Sequence, residues 1–214
     1  MKLLENIQNK EEILTQFNKI EVKKKQTIFY EKEECFDFYY LIKGKVTLQS
    51  TSPQGKKKIF FTMDDDNIVN DVDLKYNRFP YEAIAFEDCT LLKINQLKLE
   101  KLCNDNIQLY KNLLSLQSHR SRRLYRQLKN SVSINVEKKL AAKLWKLAKD
   151  YGFREEDYIL IDFKVNNTYL AEVIGCSRES VSRAIQTLIK IDLVKIEKNK
   201  YYVKQEELVD YYRE

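Results

Sequence analysis

From about residue 17 to 94 the apolar positions fall in short runs rather than at helical spacing. QTIFY (26–30), FYYLI (38–42), KVTLQS (45–50), KKIFFTM (57–63), YEAIAF (81–86) and CTLLKI (89–94) are rich in Tyr, Phe, Ile, Val and Thr. Turn chemistry at Lys43-Gly44, Pro53-Gln54-Gly55, Asp64 to Asn67 and Asn77 to Pro80 separates them. Closely spaced strands with no helices between them predict an antiparallel sandwich or jelly roll. Ahead of them, LLENIQNKEEILTQF (3–17) reads as a helix leaning on that β domain.

The pattern changes at Asn95, an expected N-cap for a short helix QLKLEKLC, and a longer helix follows from about Asp105 to Asn130. In it Ile107, Tyr110, Leu114, Gln117, Ser121, Leu124 and Leu128 recur at alternating steps of three and four, a seven-residue repeat. Leu109, Leu113 and Leu116 form a second apolar edge. Two edges imply two neighbours: the chain's own β domain, and the same helix of a second copy. The other reading of this pattern is a core helix within a single chain. From Ile134 the chain is helical again. VEKKLAAKLWKLAKDYG places Leu140, Leu144, Trp145, Leu147 and Ala148 on one face and lysines on the other, with Gly152 just past the end.

In TYLAEVIGCSRESVSRAIQTLIK, Leu170, Ala171 and Ile174 form the inner face of one helix. Gly175 stands where a left-handed residue is wanted, Ser177 caps the next helix, and Val181, Ala184, Ile185 and Leu188 form its inner face. This is a helix-turn-helix. YILIDF (158–163) precedes it, and LVKIE (193–197) and YYVK (201–204) follow as a hairpin around Lys198-Asn199-Lys200. Three helices with a hairpin after the third make a winged helix. The fold expected is therefore α+β in three parts: a β-roll over 1–104, a long dimerisation helix and hinge over 105–132, and a winged helix-turn-helix over 133–214.

With its inner face assigned to packing, the second helix of the motif must carry Arg178, Glu179, Ser182 and Arg183 outward at its N-terminal end, where a recognition helix meets base edges in the major groove. Arg can donate two parallel hydrogen bonds to guanine, and Glu can accept from a cytosine amino group. Asn166, Thr168, Ser177, Ser180, Lys198 and Lys200 are the expected phosphate contacts.

Charge supports a polyanion partner. Residues 1–105 carry 17 Lys/Arg against 18 Asp/Glu, and residues 106–214 carry 21 against 14, so the net +6 belongs to the second half. A solvated helix face is the plainer reading of the same charge. The four cysteines, at 35, 89, 103 and 176, have no metal-ligand spacing, and His119 is the one histidine. Metallohydrolase and Ser-His or Cys-His catalysis lose their ligands or base, so neither an enzyme nor a bound cofactor or metal is expected. No apolar run approaches the length of a membrane helix, and the cytoplasm is the expected compartment. The alternative is a ligand-binding signalling module whose winged helix docks protein, and the outward arginines argue against it.

GCSRESVSRAI, preceded by NNTYLAEVI and followed by a wing, resembles the DNA-binding motif of the Crp/Fnr family of bacterial transcription regulators. The resemblance covers essentially the whole chain, closely in the DNA-binding motif and by architecture in the sensor. It implies a homodimer on palindromic double-stranded DNA, RNA polymerase as a further partner, and a small-molecule effector in the β-roll. The half-site-reading element of the family falls on Arg178, Glu179, Ser182 and Arg183; Arg178 is Crp-like and Ser182 Fnr-like, so both half-site preferences stay open. The effector pocket of the family maps to Asp71, Val72, Pro80 and Tyr81, with Leu124 and Tyr125 where cyclic-AMP binders place hydroxyls. Pro80 and Tyr81 stand where those binders have the Arg-Ser pair that holds the cyclic phosphate. Without that cation the phosphate would face Asp71 and the acidic run 64–66 unpaired, so the expectation is an effector other than cyclic AMP, or none at all. No Cys precedes Cys35 to supply the clustered ligands of an iron–sulfur branch.

Overall fold

Among its described residues the first half forms eight strands, most of them where apolar runs meet turn residues. In the computed structural model, which describes residues 2–71, 78–131 and 135–213, they are β1 (Asn18–Val22), β2 (Thr27–Phe29), β3 (Asp37–Lys43), β4 (Val46–Thr51), β5 (Lys57–Met63), β6 (Asn67–Ile68), β7 (Glu82–Ala85) and β8 (Cys89–Asn95). They make two four-stranded sheets, ordered β1-β8-β3-β6 and β2-β7-β4-β5. β8 pairs antiparallel with both β1 and β3, and β7 with both β2 and β4. This is the sandwich that the strand spacing predicts.

β3 and β8 read as continuous apolar runs because both of their faces are covered. Tyr39 and Leu41 of β3 and Cys89 and Leu91 of β8 lie in the cluster between the sheets, with Phe29, Phe61 and Tyr81. Phe38, Tyr40, Leu92 and Ile94 lie in a second cluster, which the N-terminal segment and the helices after β8 complete. The turn after β3 needs Gly44: its φ is +104°, and a Cβ there would stand 2.5 Å from the Asp88 carbonyl oxygen.

The N-terminal segment departs from the single helix its apolar spacing suggests. It forms a 3-10 turn at Lys2–Leu4 and a short helix α1 (Lys10–Thr15). Asn6 between them takes a left-handed φ of +57°. The Asn112 side chain donates to the Leu3 and Glu5 carbonyls, at 3.0 and 2.8 Å, so acceptors that a continuous helix would use are bound elsewhere. β1 is also unforeseen, because in Asn18–Val22 two half-buried apolar residues alternate with charged ones.

Asn95 caps α2 (Gln96–Asp105), its side chain accepting from the Leu97 N–H at 3.0 Å. Asn106 does the same for Leu109 at the start of the long helix α3 (Ile107–Ser131). Leu109 and Leu113 are buried against the β-roll, while Ile107, Tyr110, Leu114, Leu124 and Leu128 are between 45% and 68% exposed.

The chain divides into two compact units, residues 1–55 with 59–126, and residues 56–58 with 127–214. The second contains α4 (Val136–Tyr151), β9 (Gly152–Glu155), β10 (Tyr158–Ile161), α5 (Asn167–Ile174), α6 (Arg178–Lys190), β11 (Val194–Glu197), β12 (Lys200–Val203) and α7 (Gln205–Arg213). Its sheet runs β11-β12-β10-β9. Gly152 ends α4 with an extended backbone, φ −94° and ψ 145°, since it opens β9 at once. β9 and α7 go beyond the sequence expectation; α7 docks on α4 through the fully buried Leu208 and the Tyr212 ring against Trp145.

Candidate nucleic-acid interface and effector pocket

The turn between α5 and α6 is built by two residues with opposite needs. Gly175 adopts φ +83° and ψ 43°, and its N–H closes on the Ala171 carbonyl at 2.8 Å, a left-handed C-cap that a side chain would strain. Ser177, extended at φ −77° and ψ 157°, then starts α6 by accepting from the Ser180 N–H at 3.1 Å. Val181, Ala184, Ile185 and Leu188 are buried and Ile174 is half-buried, so packing fixes the rotation of α6.

That rotation leaves Arg178, Glu179, Ser182 and Arg183 exposed on the N-terminal turns. The Glu179 carboxyl is held below the usual carboxylate range by its own backbone N–H, then by the Ser177 hydroxyl, with the charges of Arg178 and Arg183 adding to the effect. It is an anion at neutral pH, available to accept. Among the expected phosphate contacts, Asn166 caps α5 through its side-chain oxygen, which accepts from Tyr169 at 2.8 Å. Thr168 is exposed, and the Ser180 hydroxyl lies 3.1 Å from that of Ser177.

The wing turns through Lys198 and Asn199, both left-handed at φ +48° and +62°, the pair that a two-residue type I′ hairpin requires. Lys198 and Lys200 are exposed at its tip. Sequence reasoning missed what anchors it: the buried Tyr201 donates its hydroxyl to the Asn167 side chain at 3.0 Å, joining the wing to the first turn of α5. The carboxylate of Asp192, two residues past α6, accepts from Tyr158 at 2.6 Å and pairs with Lys204.

In the β-roll, Asp71 and Tyr81 come together, Pro80 is exposed, and Val72 lies outside the described residues. Leu124 and Tyr125 are exposed on α3. Sequence reasoning missed the cation beside Asp71: Arg120 of α3, 7% exposed, brings its guanidinium to 3.3 Å from the Asp71 carboxylate. Arg120 also donates to the Tyr81 hydroxyl and to the Val69 carbonyl, and its guanidinium lies 5.3 Å from the centre of the Tyr81 ring. Gln117, expected on the dimer seam, donates its amide to Asp71 at 2.6 Å, and Ser121 is half-buried. Burial raises the Tyr81 hydroxyl far above its ordinary value, against the opposing charge of Arg120, so it stays a phenol. The signal for Arg120 was present in the sequence, since it continues the Leu109, Leu113, Leu116 edge at the same spacing.

A β-roll, a long helix and a winged helix-turn-helix with its arginines turned outward are the parts of a transcription regulator. Residues 19–106 match the cyclic nucleotide-binding domain and residues 138–209 the Crp-like helix-turn-helix domain. The chain belongs to the Crp/Fnr family of transcription regulators. It is 26% identical over 182 residues to the global nitrogen regulator of Nostoc sp., covering 83% of this chain and 81% of that one. It is 25% identical to the anaerobic regulatory protein of Bacillus subtilis, over 85% and 77% of the two chains. Among solved structures, a variant of CooA from Carboxydothermus hydrogenoformans superposes with TM-score 0.83 at 16% identity, over 99% of this chain and 94% of that one. The c-di-GMP responsive global regulator of Xanthomonas campestris gives 0.81 at 16% identity, over 90% and 96%. At these identities the structural likeness is one of fold.

Proposed function

We propose that this chain acts as a homodimer that reads palindromic DNA through α6 and works either without an effector or with one other than cyclic AMP. Residues 1–104 serve as sensor domain, 105–132 as dimerisation helix and hinge, and 133–214 as the DNA-binding domain, with RNA polymerase as the further partner and the cytoplasm as the compartment. One observation carries the reading: α6 buries its whole apolar face and leaves Arg178, Glu179, Ser182 and Arg183 as its exposed N-terminal face. An Arg and a Glu four residues apart on one helix face suit adjacent bases of a half-site. The exposed seam on α3 supports a second copy, and two-fold symmetry then spaces half-site centres about 34 to 36 Å apart. Against cyclic AMP stand Pro80 and Tyr81 in place of the phosphate-holding pair.

Binding-site selection followed by salt titration tests this. Arg183→Ala is expected to weaken the selected palindrome by about 1–3 kcal/mol and relax one base pair per half-site. Lys200→Ala is expected to weaken selected and random DNA alike and to lower the salt slope by roughly one unit for each phosphate left unneutralised. If Arg183→Ala lowered affinity uniformly and kept its base preference, α6 would be a phosphate clamp and sequence readout would lie elsewhere.

A further inference from the structure

Arg120 sits on the edge of α3 that carries Leu109, Leu113 and Leu116, where a guanidinium is costly unless both its charge and its donors are answered. They are answered from within the sensor unit: the Asp71 carboxylate at 3.3 Å, the Val69 carbonyl at 3.4 Å, the Tyr81 hydroxyl, and the flanking faces of Tyr81 and Phe61. Asp71 is held in turn by Gln117 from the same helix at 2.6 Å. Two side chains one turn apart on α3 therefore close on a single carboxylate of the β-roll. We propose that Asp71 is a built-in counter-anion that does for this chain what a bound anionic effector would otherwise have to do.

It engages Arg120 and Gln117 and so fixes the rotation of α3 on the β-roll with no small molecule present. Arg120 and Asp71 are then positioning residues for the dimer helix. Leu114 and Leu124 ride on the same rigid helix, six and four residues from Arg120, so a rotation that freed Arg120 would also turn the seam. This inference rests on the proposed DNA-binding dimer and narrows its two effector options to effector independence.

The test uses the full chain, dialysed free of small molecules, and reads both affinity for the selected palindrome and the dimer dissociation constant by sedimentation. Wild type is expected to dimerise and bind without additives. Asp71→Ala should weaken both by about tenfold, the usual scale of coupling between sites. Acetate at constant ionic strength should restore it by returning a carboxylate to Arg120. Arg120→Ala should be as weak and unresponsive to acetate, a difference that general loosening of the fold would not produce. Asp71→Asn keeps the volume and guards against misfolding in the alanine variant; it should be weak and also unresponsive, because its amide fills the space. Wild-type behaviour in both Asp71 variants, equal effects of acetate on all chains, or a wild type that needs an added ligand would each overturn the proposal. Because dimerisation is measured apart from DNA, a failure to select any palindrome would sink the DNA reading while the bridge is still decided.

Discussion

On α3, the spacing that places Leu109, Leu113 and Leu116 against the β-roll also places Arg120 there. A heptad template marks the edge but says nothing about where a long polar side chain finds its partner. Asp71 lies 49 positions earlier, and no periodicity connects the two. Gln117 illustrates the same limit, fitting the outer seam by count while its amide turns to Asp71. The cysteines carry a further residue-scale prediction. Burial pushes the thiols of Cys89 and Cys103 up to about 11, helped by the nearby charges of Glu87 and Glu100, and raises Cys35 as well. The thiolate is the reactive form, so iodoacetamide should label these three slowly at pH 7 in the native chain and quickly once it is unfolded, as followed by mass spectrometry. The folded values lie above the ordinary 9.0, so the neutral thiols stabilise fully below about pH 9 and that contribution is lost as pH rises toward 11.

Among elements, the helix-turn-helix was the most legible because its determinants are local: a glycine at a left-handed position, a serine cap two residues later, and apolar residues at helical spacing. β1, β9 and α7 were not, since each is short and polar-rich and owes its form to tertiary neighbours rather than to its own pattern. The N-terminal segment shows the reverse case, a helical pattern interrupted by hydrogen bonds from Asn112. The local origin of the motif makes it testable by stability. Ser177→Ala should cost about 1 kcal/mol through the missing cap, and Gly175→Ala about 1–2 kcal/mol through the strained left-handed backbone. Urea unfolding followed by far-UV circular dichroism would measure both, and a Gly175→Ala chain as stable as wild type would show that the turn has relaxed.

For the whole molecule, the division of charge parallels the proposed division of labour, with the acidic half in the sensor and the basic half bearing α6 and the wing. In the proposed dimer the exposed leucines of α3 join the two copies. Leu114 and Leu124 are 54% and 45% exposed in the single chain, and replacing both with Lys should give monomers that bind palindromic DNA poorly. Analytical ultracentrifugation checks this directly, and variants that still sediment as dimers would mean that the seam lies on another surface. The pairing of β8 with both β1 and β3 has a consequence for biosynthesis. β1, at residues 18–22, meets its ladder only when residues 89–93 have been made, and β3 waits for the same strand on one side. On the ribosome the nascent sensor thus holds bare strand edges and an uncovered apolar face from the time β1 is made until residues 89–93 follow. Translation speed across residues 40–95, and the chaperones that meet the chain in that interval, would then govern how much regulator reaches the native state.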